Sequence, residues 1–175
     1  MSASDRTTPI AAFNGTRRVP PPVNEPVRAY APGSAERASL KARLAAMAGD
    51  RIDIPLVIGG LPVRTGDTAR VVMPHDHKRV LGDFHRATPD HVRQAIAAAR
   101  TAHADWANWA WEDRAAVFLR AAELLTTTWR DTANAAAMLN QSKTAFQAEI
   151  DSACELIDFW RVNPHYAQEL YDEQP

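Results

Sequence analysis

The chain is 175 residues long, 46% hydrophobic and 23% charged, with a net charge of −1, which fits one soluble domain or part of a larger one. The near-neutral balance excludes nucleic acid and an anionic membrane as default partners. A single cysteine excludes an internal disulfide framework and fits a reducing compartment, and no apolar run reaches the roughly 18 residues of a membrane span.

Residues 1–22 read as a disordered, proline-rich leader. They lack the apolar core of a secretory signal, while several arginines and few acids leave an organelle presequence open. Residues 23–50 read as an extended arm around "PVNEPVRAY" followed by a helix. Ser34 is its N-cap, Leu40, Leu44 and Met47 form its apolar stripe, and Gly49 stops it. Residues 51–87 read as an antiparallel meander of three or four strands. Leu56 to Ile58 lead into a Gly59-Gly60 turn, "LPVRT" into a turn at Gly66-Asp67, and "ARVVMP" and "RVLGDFHRA" are separated by the polar turn "HDHK".

Residues 88–175 read as helical. Thr88-Pro89 opens a helix with Val92, Ile96, Ala99, His103 and Trp106 on one face. A corner, "WANWAWEDR", leads into a helix through Val117, Ala121 and Leu124 to about Thr127. Another helix is expected from about Trp129 to Leu139, and a last one from about Lys143 to Tyr171, with a possible kink at Pro164.

The last helix begins with "AEIDSACELIDFWR", which holds Cys154. On a 3.6-residue period Ile150, Ala153, Cys154, Ile157 and Trp160 share one stripe, and Asp151, Glu155 and Asp158 another. The acids nearest the cysteine in sequence raise a thiol pKa. A helix start at Asn140 or Ser142 would leave the thiol about three turns from the terminal dipole. Cys154 is therefore expected to be packing material and not a nucleophile.

Other chemistry is sparse. His75 and His77, with His85 and His91 nearby, have the spacing of a strand chelate, but no cysteine or acid cluster completes a site, so a solvated turn is expected. Trp106, Trp109 and Trp111 are expected to form a core corner, the alternative being a stacking platform for a ligand. No dinucleotide, P-loop, nucleophile-elbow or zinc-helix motif is present. The acidic face of the last helix is either solvated or lines a pocket for a cationic substrate or a lysine from elsewhere. From the residues alone, function stays open.

The order of the pieces supplies more. "VIGG" followed by "VVMPHDHKRVLGDFHRATPDHVRQAIAAARTAHADWANWAWEDRAAVFLRAAELL" resembles the opening of the aldehyde dehydrogenase superfamily. "NQSKTAFQAEIDSACELIDFWR" resembles the stretch that follows there, with Ser142 in place of the usual glycine. "NEPVRAYAPGSAER", "IPLVIGG", "QSKTAFQAEID" and "ELIDFWRVN" are similar to the L-glutamate γ-semialdehyde (Δ1-pyrroline-5-carboxylate) dehydrogenases, and the likeness covers about residues 23–175.

The resemblance implies an α/β fold of the aldehyde dehydrogenase type. This chain would be its mainly helical N-terminal segment, with a short antiparallel β meander and without the Rossmann-like sheet. It implies NAD-dependent oxidation of L-glutamate γ-semialdehyde to L-glutamate in proline catabolism, through a cysteine thiolate, a glutamate base and an oxyanion-stabilising asparagine. In the family those three groups and nearly all cofactor contacts lie C-terminal to the matched region. No catalytic, NAD-binding or metal-binding residue is therefore expected here, and the 175 residues alone are expected to be inactive, poorly stable or self-associating. One contribution is expected from the last helix, which borders the aldehyde channel in the family. Glu155, with Ser152 one turn before it, is the first choice to meet the substrate's α-ammonium or a pocket lysine, and Glu149 the second. The whole enzyme is expected to be a homo-oligomer of the bacterial cytoplasm or the mitochondrial matrix, with an aldehyde substrate and no nucleic-acid or membrane partner. The alternative is a standalone helical interaction module, or an inactive remnant, that binds a partner chain.

Overall fold

A computed structural model describes residues 18–174. Residues 1–17 of the expected leader, and with them most of the presequence question, lie outside the described residues. The remainder of the leader is not loose. The backbone N–H of Val19 donates to Gln168 Oε1 at 2.7 Å, and Val19 is buried. The arm continues extended to Tyr30, which adopts a positive φ of 49° before the first helix.

That helix, α1, spans Ala35–Gly49, and the Ser34 hydroxyl accepts from the Arg37 N–H as an N-cap. Five strands follow among the described residues: β1 (Ile52–Ile54), β2 (Leu56–Ile58), β3 (Leu61–Val63), β4 (Thr68–Met73) and β5 (Asp76–His85). β2 and β3 form a separate antiparallel ribbon, turned by Gly59 and Gly60, both at positive φ as a two-residue hairpin requires. β4 and β5 are antiparallel, as the sequence suggests, but β1 pairs parallel with the far end of β5. The sheet is thus mixed, in the order β1-β5-β4, and not a pure meander. Gly82 permits the contact, because a Cβ there would lie 2.6 Å from Ile52 O. The expected "HDHK" turn sits earlier, at Pro74-His75, and Asp76, His77 and Lys78 belong to β5.

His85 ties these strands together. Its Nδ1 lies 2.9 Å from the Thr65 N–H and 3.2 Å from the Gly66 N–H, and its Nε2 lies 3.0 Å from Asp53 Oδ1. Backbone N–H groups can only donate, so Nδ1 accepts and Nε2–H donates to the carboxylate.

The helical part comprises α2 (Pro89–Trp106), α3 (Trp111–Thr126), α4 (Arg130–Gln141), α5 (Ala145–Ala148) and α6 (Glu155–Asp172). Thr88 and His91 close a capping box at the start of α2. α6 runs through Pro164, which is buried inside it. α4 ends at Ser142 with φ 57°, a left-handed C-cap of the kind that glycine adopts without a Cβ penalty. The next helix starts at a Thr144–Gln147 capping box, two residues later than a Ser142 cap would place it.

The core has two centres. Tyr30, Leu40, Met73, Leu81, Ala135 and Leu139 are the buried members of two adjoining clusters between arm, α1, α4 and the β4–β5 pair. Ala122 and Leu125 of α3 pack on Ala153 and Ile157. The α3 face that packs inward is therefore Ala115, Ala122 and Leu125, whereas Val117 is exposed. The tryptophan corner is not core either. Trp106 and Trp109 lean on each other at 5.3 Å, Trp111 stacks on Tyr171 at 5.6 Å, and none of the three is buried. No helix among the described residues is long and apolar enough to cross a membrane.

Candidate functional site

Between α5 and α6 the helix does not keep the 3.6-residue period. Residues Glu149–Cys154 form a π-turn, in which bonds run from residue i+5 back to i, and the N–H of Glu155 reaches Ile150 O. This wider winding brings residues five apart together. Cys154 Sγ consequently lies 3.7 Å from Glu149 Oε1, although a uniform α-helix would send the two side chains in different directions.

Glu149 is fully buried. Its Oε1 accepts from the Arg28 backbone N–H at 2.8 Å and from an Arg130 Nη2–H. Its Oε2 accepts from the Tyr30 hydroxyl at 2.8 Å, from Asn134 Nδ2 at 2.8 Å and from Arg130 Nε at 3.3 Å. Arg130, 1% exposed, divides its guanidinium between Glu149, Glu25 Oε1 and the Pro26 carbonyl, the last at 2.8 Å. Arg161 pairs with the other Glu25 oxygen at 2.9 Å, and the Glu25 N–H donates to Asp158 Oδ1 at 2.6 Å. Two buried carboxylates are therefore matched by two guanidinium groups, the condition under which buried charge is tolerable.

The electrostatics follow from these partners. Burial alone would push the Glu149 carboxyl up, but Arg130, the Arg28 N–H, Tyr30 and Asn134 outweigh it and bring it down to about 2. Burial and the adjacent Glu149 push the Tyr30 hydroxyl up to about 12. Burial alone would pull the Arg130 guanidinium down, yet Glu149 and Glu25 raise it above its ordinary value. Burial, then the Glu149 charge, carry the Cys154 thiol up to about 11 despite Arg130 Nη2 at 3.4 Å. Cys154 is a buried packing residue, as the stripe indicates, and a thiol so rarely ionised is a poor nucleophile.

The three residues singled out for a pocket fall in different surroundings. Glu149 is enclosed and its lone pairs are occupied. Ser152 is half-buried. Glu155 is exposed, and no hydrogen bond or ion pair among the described residues engages its carboxylate. The histidines are scattered: His75 bonds Ser142 Oγ at 2.8 Å, His85 is held by the Asp53 and Thr65 contacts, and His91 caps α2. No group of three potential metal ligands exists among the described residues. Sequence reasoning missed Glu25, Tyr30, Arg130 and Asn134. One signal was available: Arg130, Asn134 and Ala137 lie at i, i+4 and i+7 on a face that also carries buried alanines, a polar pair where an apolar stripe should run.

The profile of the Aldehyde dehydrogenase family matches residues 63–175. The chain belongs to this family. Among solved aldehyde dehydrogenases, the Delta-pyrroline-5-carboxylate dehydrogenase of Mycobacterium tuberculosis superposes with a TM-score of 0.90 at 48% identity, covering 93% of this chain and 30% of that one. It has also been solved with NAD bound. The Delta-1-pyrroline-5-carboxylate dehydrogenase of Agaricus bisporus is 46% identical over 170 residues, 97% of this chain and 30% of its own length. The mitochondrial human enzyme of that name is 41% identical over 152 residues, 87% of this chain and 27% of its own. The chain thus spans about 30% of the length of the relatives it matches, and its fold is that of the corresponding part of an aldehyde dehydrogenase.

Proposed function

We propose that this chain is the N-terminal part of an NAD-dependent dehydrogenase that oxidises L-glutamate γ-semialdehyde, formed from Δ1-pyrroline-5-carboxylate, to L-glutamate in proline catabolism. The observation that carries this reading is the 48% identity to the Mycobacterium tuberculosis enzyme across 93% of the chain at a TM-score of 0.90. Similarity to both bacterial and mitochondrial proteins supports the bacterial cytoplasm or the mitochondrial matrix as the compartment. The whole protein is a homo-oligomer in this reading.

The chain's own share is scaffold and substrate recognition. Its substrate carries an α-ammonium, which an uncommitted carboxylate recognises by a charge-assisted hydrogen bond. Glu155 is exposed on the first turn of α6, without a partner among the described residues, with Ser152 one turn before it. Glu149 is the lesser candidate for direct contact because five donors already occupy it. In the whole enzyme the nicotinamide supplies the hydride acceptor. The β5-to-α2 junction runs through Arg86, Ala87 and the Thr88 cap without a glycine, so it does not fit a dinucleotide pyrophosphate, which needs close backbone approach at a helix start.

The test is NADH formation by the whole protein offered Δ1-pyrroline-5-carboxylate. Turnover with a preference for this substrate over simple aliphatic aldehydes is expected; turnover of the simple aldehydes alone would overturn the substrate reading. Glu155→Ala should lower kcat/KM about tenfold, equivalent to ~1.4 kcal/mol. An unchanged kcat/KM removes the residue from the pocket.

A further inference from the structure

The π-turn is held from both sides. On its N-terminal side, Glu149 is fixed by Arg130 and Asn134 of α4 and by Tyr30 and the Arg28 N–H of the arm. On its C-terminal side, Ala153 and Ile157 are fixed against Ala122 and Leu125 of α3. Both anchorings are fully buried, and the one extra residue in the turn lets both be met at once. Loss of that extra residue would turn everything after it by about 100° and shift it by about 1.5 Å along the axis. Glu155 is the first residue after the turn, and its own N–H makes an i-to-i−5 bond to Ile150 O. Its direction is therefore set by the turn and not by contacts of its carboxylate, which has none among the described residues.

Resting on the assignment of Glu155 to the substrate, we infer that Arg130 and Glu149 are positioning residues. Their buried ion pair locks the Glu149–Cys154 π-turn and thereby aims Glu155 at the substrate's ammonium group. In this role both act through the turn, their charged groups being enclosed and bonded to each other. This gives the buried pair a role that stability does not require, since buried ion pairs are often replaceable by apolar groups without loss, and π-turns recur where a side chain must be re-aimed.

A double-mutant cycle in the whole enzyme tests this. Glu149→Gln should raise KM for Δ1-pyrroline-5-carboxylate about tenfold, with kcat changed less than about threefold and KM for NAD unchanged. In a Glu155→Ala background the same Glu149→Gln change should add nothing, because the group it aims is gone. Tyr30→Phe, which removes one donor to Glu149 and keeps the ring, should show a smaller version of the same split, and it provides the readout if Glu149→Gln fails to fold. A full additive effect of these changes in the Glu155→Ala background, or an unchanged KM, overturns the inference. The two readings fail separately. If Glu155→Ala leaves kcat/KM unchanged, the substrate assignment falls and the positioning role with it. If Glu155→Ala raises KM but the Glu149 and Tyr30 variants do not, only the positioning role falls.

Discussion

α2 and α4 make an instructive pair. α2 has 18 residues, a Thr88 capping box and a clean apolar stripe, yet none of its residues is buried. α4 has 12 residues and a polar start, yet five of them are buried, including Arg130 and Asn134. Periodicity reports which face of a helix is apolar and says nothing about what covers it. In α4 the covering comes from the arm and α1, both remote in sequence, and from the π-turn that follows it, and burial there is organised around charge. Val92 and Ile96 of α2 stand about half exposed, although the amphipathic pattern of α2 is close in strength to that of α4.

The largest effect expected from this contrast is at Arg130. Arg130→Leu leaves the carboxylates of Glu149 and Glu25 buried with one guanidinium fewer between them, and such uncompensated charge costs about 4 kcal/mol. Urea denaturation at neutral pH measures it, and a loss below about 1 kcal/mol would mean that the interior is wet enough to screen the pair.

Next comes the pH dependence. The Glu149 carboxyl lies lower folded, at about 2, than its ordinary 4.5, so its ionised form favours folding. That contribution, about 3 kcal/mol, is complete above its ordinary value and is lost as pH falls toward the folded one. Tyr30 and Cys154 are raised, from 10.0 to about 12 and from 9.0 to about 11. Their contributions are complete below the ordinary values and are lost as pH rises toward the folded ones. Stability should therefore form a plateau bounded by Glu149 on the acid side and Cys154 on the basic side. Glu149→Gln should make the acid limb shallower, and an unaltered limb would show that the carboxylate is not held as described.

The smallest effect is expected on α2. Ile96→Ser, at a site 49% exposed, should change the stability of this chain by less than about 0.5 kcal/mol. A larger loss at raised protein concentration only would reveal that α2 is covered by another copy.

Local chemistry carried most of what could be read in advance. The caps at Ser34 and Thr88 and the Gly59-Gly60 hairpin depend on a few adjacent residues, and the sequence displays them. β1 escaped because its three residues, Ile52–Ile54, pair in parallel with β5 about thirty positions away. Its trace was Gly82 inside a strand pattern, a small residue where a neighbouring backbone comes close. At the site, the stripe through Ala153, Cys154 and Ile157 was legible. The π-turn was not, since one residue added to a helix leaves no compositional mark, and an α-period drawn across it separates Glu149 from Cys154. Arg130 and Glu25 were invisible for another reason: they are 105 positions apart in sequence, and charged residues are assigned to the surface by default.

The arm from Val19 to Tyr30 also sets a timetable for synthesis. It is made before the elements it docks on, and its contacts reach forward 149 residues to Gln168, 133 to Asp158 and 119 to Glu149. At about 5–20 residues per second, the ribosome delivers those partners roughly 6–30 s later. Throughout that interval the partners that bury Glu25 and Tyr30 have yet to be made, so the arm cannot settle before α6 and the π-turn exist. Its docking onto α6 and the π-turn is the event that seals the charges of Arg130 and Glu149 away from water.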